Sequence, residues 1–264
     1  MVVFPNAKIN LGLNVLAKRP DGYHNLESFM IPIPLYDILE IIPADSFSLT
    51  ITGSHSVPVE DNLVTKAYTL LKEDFDLPPV QIHLHKNIPA GGGLGGGSSD
   101  ASFALKMLNS MFELGLDTPA LENYAAGLGS DCPFFITNET ALVSGTGTIM
   151  QPMPFTMPAK YLFLVLPGIH IPTKEAFSNI SSMNESQGLF RAINEDPKTW
   201  KNTIFNDFEH SIFPLYPMLE RIKSSLYING AMYASMSGSG STMYGFFHEK
   251  KDIDPGFAFQ WLEM

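Results

Sequence analysis

Between residues 7 and 15 the chain alternates, with Ile9, Leu11, Leu13 and Val15 on one side and Lys8, Asn10, Gly12 and Asn14 on the other. A period of two predicts a half-buried strand whose polar face carries a lysine and two asparagines. Pro20-Asp21-Gly22 marks a turn. Further strands are expected at 29–33, 38–42, 47–51 and 80–85. Leu63, Ala67, Leu70 and Leu71 then fall at helical spacing, with Asp61 or Asn62 as the cap. A second helix, starting at Ser98-Ser99, aligns Ala101, Ala104, Leu105, Leu108 and Met111 on one face. A third has Thr118 as cap and Pro119 at its first position, and ends near Gly127 or Gly129.

Strand signals return at 140–143, and three prolines in 150–160 suggest a connection between domains. Residues 161–166 read as a buried strand. A helix is expected at 214–226, and strands at 232–236 and 243–247 are joined through Ser237-Gly238-Ser239-Gly240-Ser241. Polar residues dominate 178–201, where no helix is placed well. Strands and helices mix without a βαβα rhythm, which favours an α+β class over a doubly wound sheet.

Between the strand at 80–85 and the helix that follows lies Pro89-Ala90-Gly91-Gly92-Gly93-Leu94-Gly95-Gly96-Gly97-Ser98-Ser99-Asp100. Glycine adopts the conformations that let successive N–H groups converge on one anion, and it leaves no side chain to hinder a phosphate chain. The helix start adds free amides and the positive end of a dipole, and Ser98 and Ser99 add hydroxyls. The competing reading is a flexible linker, but linkers are rarely embedded between a strong strand and a strong helix. A Walker A loop is excluded because Gly97 is followed by Ser98 rather than lysine. A Rossmann fingerprint can be forced onto Gly91, Gly93 and Gly96, with Asp117 as ribose ligand, but Pro89 and Ala90 intervene after the strand.

Composition narrows the partners. The chain has 264 residues, 45% hydrophobic and 16% charged, which is a globular balance with room for one large domain or two ordinary ones. Its net charge of −11 argues against nucleic-acid and anionic-membrane partners, while local amides and lysines still suffice for a phosphorylated ligand. The single cysteine, Cys132, excludes an intrachain disulfide and a cysteine-built zinc site. The start of the sequence lacks a signal-peptide layout, and no apolar run approaches the ~20 residues of a membrane span. A soluble cytoplasmic protein is expected.

Four segments, in chain order, resemble the GHMP kinase superfamily, which includes galactokinase, homoserine kinase and mevalonate kinase. They are Ala7-Lys8-Ile9-Asn10-Leu11 with Arg19-Pro20-Asp21-Gly22-Tyr23-His24, the glycine loop, Gly129-Ser130-Asp131-Cys132-Pro133-Phe134-Phe135, and the Ser237–Ser241 segment. The glycine loop alone places the superfamily, and the Lys8–Asn10 and Gly22-Tyr23-His24 pieces narrow the resemblance to the branch that phosphorylates a cytidine diphosphate-linked polyol. The resemblance implies a two-domain α+β GHMP kinase fold. Residues 1–155 would form a ribosomal-protein-S5-domain-2-like domain that holds ATP and the base, and residues 156–264 a ferredoxin-like domain.

By the same resemblance Asp131 is the base, and Lys8 keeps its carboxylate ionised and offsets charge in the transition state. Pro89, Ala90, Gly91, Gly92, Gly93, Leu94, Gly95, Gly96, Gly97, Ser98 and Ser99 would hold the ATP phosphates, bridged by Mg²⁺, with Asn62 near the adenine. Tyr23 and His24 would hold the cytidine, with Phe177 as second stacking face and Asn10 and Thr173 as further substrate contacts. Read from residues alone, Asp131 is as readily a turn cap, Lys8 a solvent-facing strand residue, Phe177 a core side chain and Asn62 a helix cap. No metal site built from protein side chains is expected. His83 and His85 share a strand face but lack a third ligand. Cys132 reads as a buried small residue rather than a nucleophile. Another GHMP kinase, a non-catalytic nucleotide sensor of the same fold and a dinucleotide-dependent oxidoreductase remain alternatives.

Overall fold

Alternating apolar positions become strands and three-to-four spacings become helices along a computed structural model that describes residues 1–55, 58–178, 180 and 188–264. In chain order the first half runs β1 (Val2–Val3), β2 (Asn6–Lys18), β3 (His24–Tyr36), β4 (Ile38–Pro43), β5 (Ser48–Gly53), α1 (Leu63–Asp74), β6 (Val80–Lys86), α2 (Gly96–Met111), α3 (Thr118–Leu128) and α4 (Phe134–Thr137). Then come β7 (Ala141–Gly145), β8 (Ile149–Pro152), β9 (Tyr161–Leu166), α5 (Thr173–Ser178), α6 (Leu189–Ile193), α7 (Trp200–Thr203) and α8 (Phe208–Ile212). The last elements are α9 (Pro217–Ile228), β10 (Tyr233–Met236), β11 (Met243–Phe247) and β12 (Ala258–Glu263). Part of the polar stretch whose helices the sequence leaves unplaced, 179 and 181–187, lies outside the described residues.

Contacts group the chain into two compact units that are discontinuous in sequence, whereas the expected division is a single cut at 155/156. The first holds Met1–Ala7, Leu35–Ala90 and Gly95–Glu139. Its sheet has the order β1-β4-β6-β5, antiparallel except for the parallel β5–β6 pair. Leu39, Ile41, Ile82 and Leu84 of the sheet share a fully enclosed core with Val64 and Leu71 of α1 and Ala101, Ala104, Leu105 and Leu108 of α2. Those four α2 residues belong to the face that the helical spacing picks out.

The second unit holds Lys8–Pro34, Gly91–Leu94 and Thr140–Met264. It contains the sheets β2-β3-β7-β8 and β10-β11-β9-β12. In the latter, β9 lies antiparallel between β11 and β12. Phe163 and Val165 of β9 pack with Ile212, Leu219 and Leu226 from α8 and α9.

Three local expectations are corrected. Strand β2 is enclosed on both faces from Asn6 to Val15, not half-buried, because its polar side chains find partners inside the protein. The proposed connection at 150–160 begins as strand. Residues 149–152 pair with β7, and Pro152 is tolerated at the end of this edge strand. The cap of α3 is Asp117, which accepts from Ala120 N at 2.9 Å, and Thr118 is already helical.

Candidate active site

In the first unit β6 and α2 flank the glycine loop, and a buried ionic triad ties them together. Lys86 Nζ donates to Asp37 and, at 2.6 Å, to Asp100 Oδ2, while Asp37 Oδ1 accepts from the amides of Asn87 and Ile88 at 2.6 and 2.8 Å. Burial pushes the Asp100 carboxyl well above the usual carboxylate range; Lys86 pulls it back and the Asp37 charge adds to the rise. For Lys86, burial works against the charge, but the two carboxylates outweigh it and raise its pKa.

Helix α2 starts two residues earlier than the sequence suggests, at Gly96, with Gly95 as a left-handed cap that offers no side-chain hydrogen bond. The first-turn amides are therefore not satisfied by a capping side chain, and the positive end of the dipole stands at the loop. A Cβ at Gly96 would lie 2.8 Å from Ile88 Cγ2, so glycine is required by space alone. Ser98 is half-buried, whereas Ser99 is buried and its Oγ has no hydrogen-bond partner.

Asp131 sits in the turn between α3 and α4, half-buried. The chain after it is anchored by Phe134 and Phe135, both fully enclosed. Cys132 N bonds Gly129 O at 3.1 Å, and Ser102 Oγ of α2 donates to Cys132 O at 2.7 Å. Burial pushes the Cys132 thiol up to about 11, which fits a packing residue rather than a nucleophile.

In the second unit the loop residues Gly91–Leu94 meet Lys8 and the Ser237–Ser241 segment. Lys8 is 3% exposed; its Nζ donates to Asn10 Oδ1 at 2.6 Å and to Gly93 O at 3.1 Å. Asn10 Nδ2 donates to Ser28 Oγ at 2.8 Å, which fixes the amide with its oxygen toward the lysine. Ser237 Oγ donates to Gly93 O at 2.8 Å, and Thr242 N bonds Gly92 O at 3.2 Å. Gly93 has φ +79°, and a Cβ there would stand 2.0 Å from Ser237 O, so the close approach of the two segments depends on glycine. Asn206 Nδ2 holds the Ser237–Ser241 turn from the other side, donating to Met236 O and Gly238 O at 2.8 Å each.

His24 and Phe177 stack, with ring centroids 5.5 Å apart and planes 15° from parallel. Tyr23, next to His24, is 68% exposed, and Thr173 is exposed at the first position of α5. Asn62 caps α1 by accepting from Val64 N at 3.0 Å. The structure thus joins Lys8, Asn10 and Gly93 in one hydrogen-bonded group and His24 with Phe177 in another. His83 Nε2 and His85 Nδ1 both lie 2.9 Å from Thr52 Oγ1. Among the described residues no group of three or more His, Cys, Asp or Glu side chains is placed to hold a metal ion.

Sequence reasoning missed Ser28, Asp37, Lys86 and Asn206. Lys86 and Asp37 are 49 positions apart, and no local pattern pairs them. Asn206 leaves only a faint signal, an Asn-x-Phe turn in which its Oδ1 accepts from Phe208 N at 3.0 Å.

Comparison with known proteins sets this geometry in a family. Residues 62–139 match the model of the GHMP kinases N terminal domain, and residues 189–255 match that of the GHMP kinases C terminal domain. A 4-diphosphocytidyl-2-C-methyl-D-erythritol kinase of Bacteroides fragilis is 49% identical over 270 residues, covering 98% of each chain. The chain belongs to that kinase family. Another member, from Azobacteroides pseudotrichonymphae, is 51% identical over 257 residues, 97% of this chain and 96% of its own. Among solved structures, a 4-(cytidine 5'-diphospho)-2C-methyl-D-erythritol kinase aligns with a TM-score of 0.80 at 31% identity, over 93% of this chain and 90% of its own. The mevalonate kinase of Methanococcus jannaschii aligns with a TM-score of 0.73 at 13% identity, over 100% and 98%, a likeness of fold alone. The fold is therefore the two-domain GHMP kinase architecture implied by the glycine loop. Among the described residues no helix is long and apolar enough to cross a membrane.

Proposed function

We propose that this protein transfers the γ-phosphoryl group of ATP to the 2-hydroxyl of 4-diphosphocytidyl-2-C-methyl-D-erythritol, a step of the non-mevalonate route to isoprenoid precursors. The observation that carries this is the near full-length identity of about half to relatives bearing that kinase's name. On this reading residues 1–155 carry the phosphate loop and the base, and residues 156–264 carry Thr173 and Phe177.

Phosphoryl transfer needs an in-line hydroxyl, a place for its proton and compensation of charge on the moving group. Asp131 takes the proton. Lys8, oriented by Asn10 and Gly93 O, supplies the compensating charge. The amides at the start of α2, with Ser98, hold the phosphates. Mg²⁺ bound with the nucleotide would neutralise phosphate charge. The buried, unpartnered hydroxyl of Ser99 and the hydroxyl of Ser98 suit a hard, oxygen-preferring cation held mainly by phosphate. His24 and Phe177 offer parallel aromatic faces for the cytosine, and opening the 5.5 Å pair by ~1.5 Å would admit a base between them. Tyr23 is free to swing onto the same ring, Thr173 and Asn10 add polar contacts, and Asn62 stands for the adenine side.

The test is a coupled ADP-release assay over the cytidylyl polyol, homoserine and mevalonate. Turnover on the cytidylyl substrate is expected. Activity on homoserine or mevalonate alone would refute the substrate, and nucleotide binding with no turnover on any of them would refute the kinase.

A further inference from the structure

Helix α2 does more than begin at the phosphate loop. Ser98, Ser102 and Lys106 recur every four residues and so form one stripe along it. This stripe runs beside the turn that carries Asp131. Ser102 Oγ donates to Cys132 O at 2.7 Å, and one turn further Lys106 Nζ donates to Phe135 O at 2.7 Å and Ile136 O at 3.3 Å.

Helix α4 has only four residues, so its carbonyls lack the partners that a longer helix would give them. A cation at that end satisfies them and complements the helix dipole. The ammonium of Lys106 also lies 3.9 Å from the centroid of the Phe103 ring. A lysine would ordinarily extend into water, and burial of this one pushes its pKa down to about 8. The cost of enclosing it is met by two carbonyls and a ring face, and the benefit falls on the segment it grips. That grip lies four and five residues beyond Asp131, and the Ser102 grip lies one residue beyond it.

We propose that Lys106, aided by Ser102, is a positioning residue for the reaction: it fixes the Asp131 turn to the helix that begins at the phosphate loop. The inference rests on the reading of Asp131 as the base. Lys106 acts through the backbone that it grips and not on substrate or phosphate. It sets the place of the carboxylate relative to the first turn of α2, and small displacements of a reacting group are costly in rate, on the order of a hundredfold for about 1 Å.

The experiment compares the wild type with Lys106→Met, Lys106→Arg, Ser102→Ala, Asp131→Asn and the Lys106→Met/Asp131→Asn pair, by steady-state kinetics and calorimetric titration with an ATP analogue. Lys106→Met is expected to lower kcat by about tenfold or more with KM for ATP and analogue affinity unchanged, and Lys106→Arg to recover most of it. On the Asp131→Asn background Lys106→Met should cost nothing further, because the group it positions is gone. An unchanged kcat in Lys106→Met, or an equal loss on both backgrounds, overturns the proposal. Near wild-type turnover in Asp131→Asn instead overturns the assignment of the base, so the two failures are distinguishable. If Lys106→Met does not fold, Ser102→Ala decides: a several-fold drop in kcat alone supports the proposal, and no drop refutes it.

Discussion

Lys8 is an uncommon lysine, enclosed on a strand and tethered by Asn10 Oδ1 and Gly93 O. Long side chains normally keep their charged ends in water, so holding one inside needs a polar cradle. The cradle predicts that Asn10→Leu harms turnover through Lys8 and not only through substrate contact. Its kcat should fall by at least about tenfold, and Lys8→Met on that background should add less than it does alone, read by steady-state kinetics. Asp131→Asn should reduce turnover by about a hundredfold or more, with nucleotide binding still measurable by titration. At this scale the sequence offers candidates that sit in contiguous motifs, such as Asp131 or Tyr23-His24. It was silent on Ser28 and Asn206, whose partners are brought to them only by folding.

Elements follow the same division. The helix α1 was legible down to a cap at Asp61 or Asn62, of which the structure selects Asn62, because a cap acts within two residues of its own chain. Asn62→Ala is therefore expected to cost about 1 kcal/mol in chemical denaturation. Strand β2 was legible as a strand but not as an enclosed one, since alternation reports which face is apolar and not what covers the other. The glycine loop was legible as a turn between a strand and a helix, but the reason for Gly93 lay 144 positions away in Ser237. Gly93→Ala forces the two segments apart by more than an ångström. It should weaken nucleotide affinity by about tenfold or more while leaving far-ultraviolet dichroism unchanged. The helical pieces around 189–203 escaped sequence reading because they are short and draw stability from packing, as with Trp200, rather than from their own periodicity.

At the scale of the whole molecule the ionic triad couples stability to pH. The Asp100 carboxyl titrates higher in the folded than in the unfolded chain, so the folded state binds more protons over that window. Its contribution is fully present below the ordinary carboxylate pKa of 3.8 and is lost as pH rises through the raised folded value. Asp100→Asn removes this dependence while keeping an acceptor for Lys86. Measured without nucleotide or magnesium, the Tm of the variant should gain on the wild type steadily as pH rises above 4, and a constant difference would refute this account.

The lone thiol of Cys132 supplies a clock for breathing of the molecule. It is wholly enclosed and holds its proton tightly, so a thiol reagent can modify it only when the first unit opens. Labelling rates followed by mass spectrometry would then report how often the α2–α4 packing comes apart under native conditions. A nucleotide seated at the start of α2 should slow that clock in proportion to its saturation.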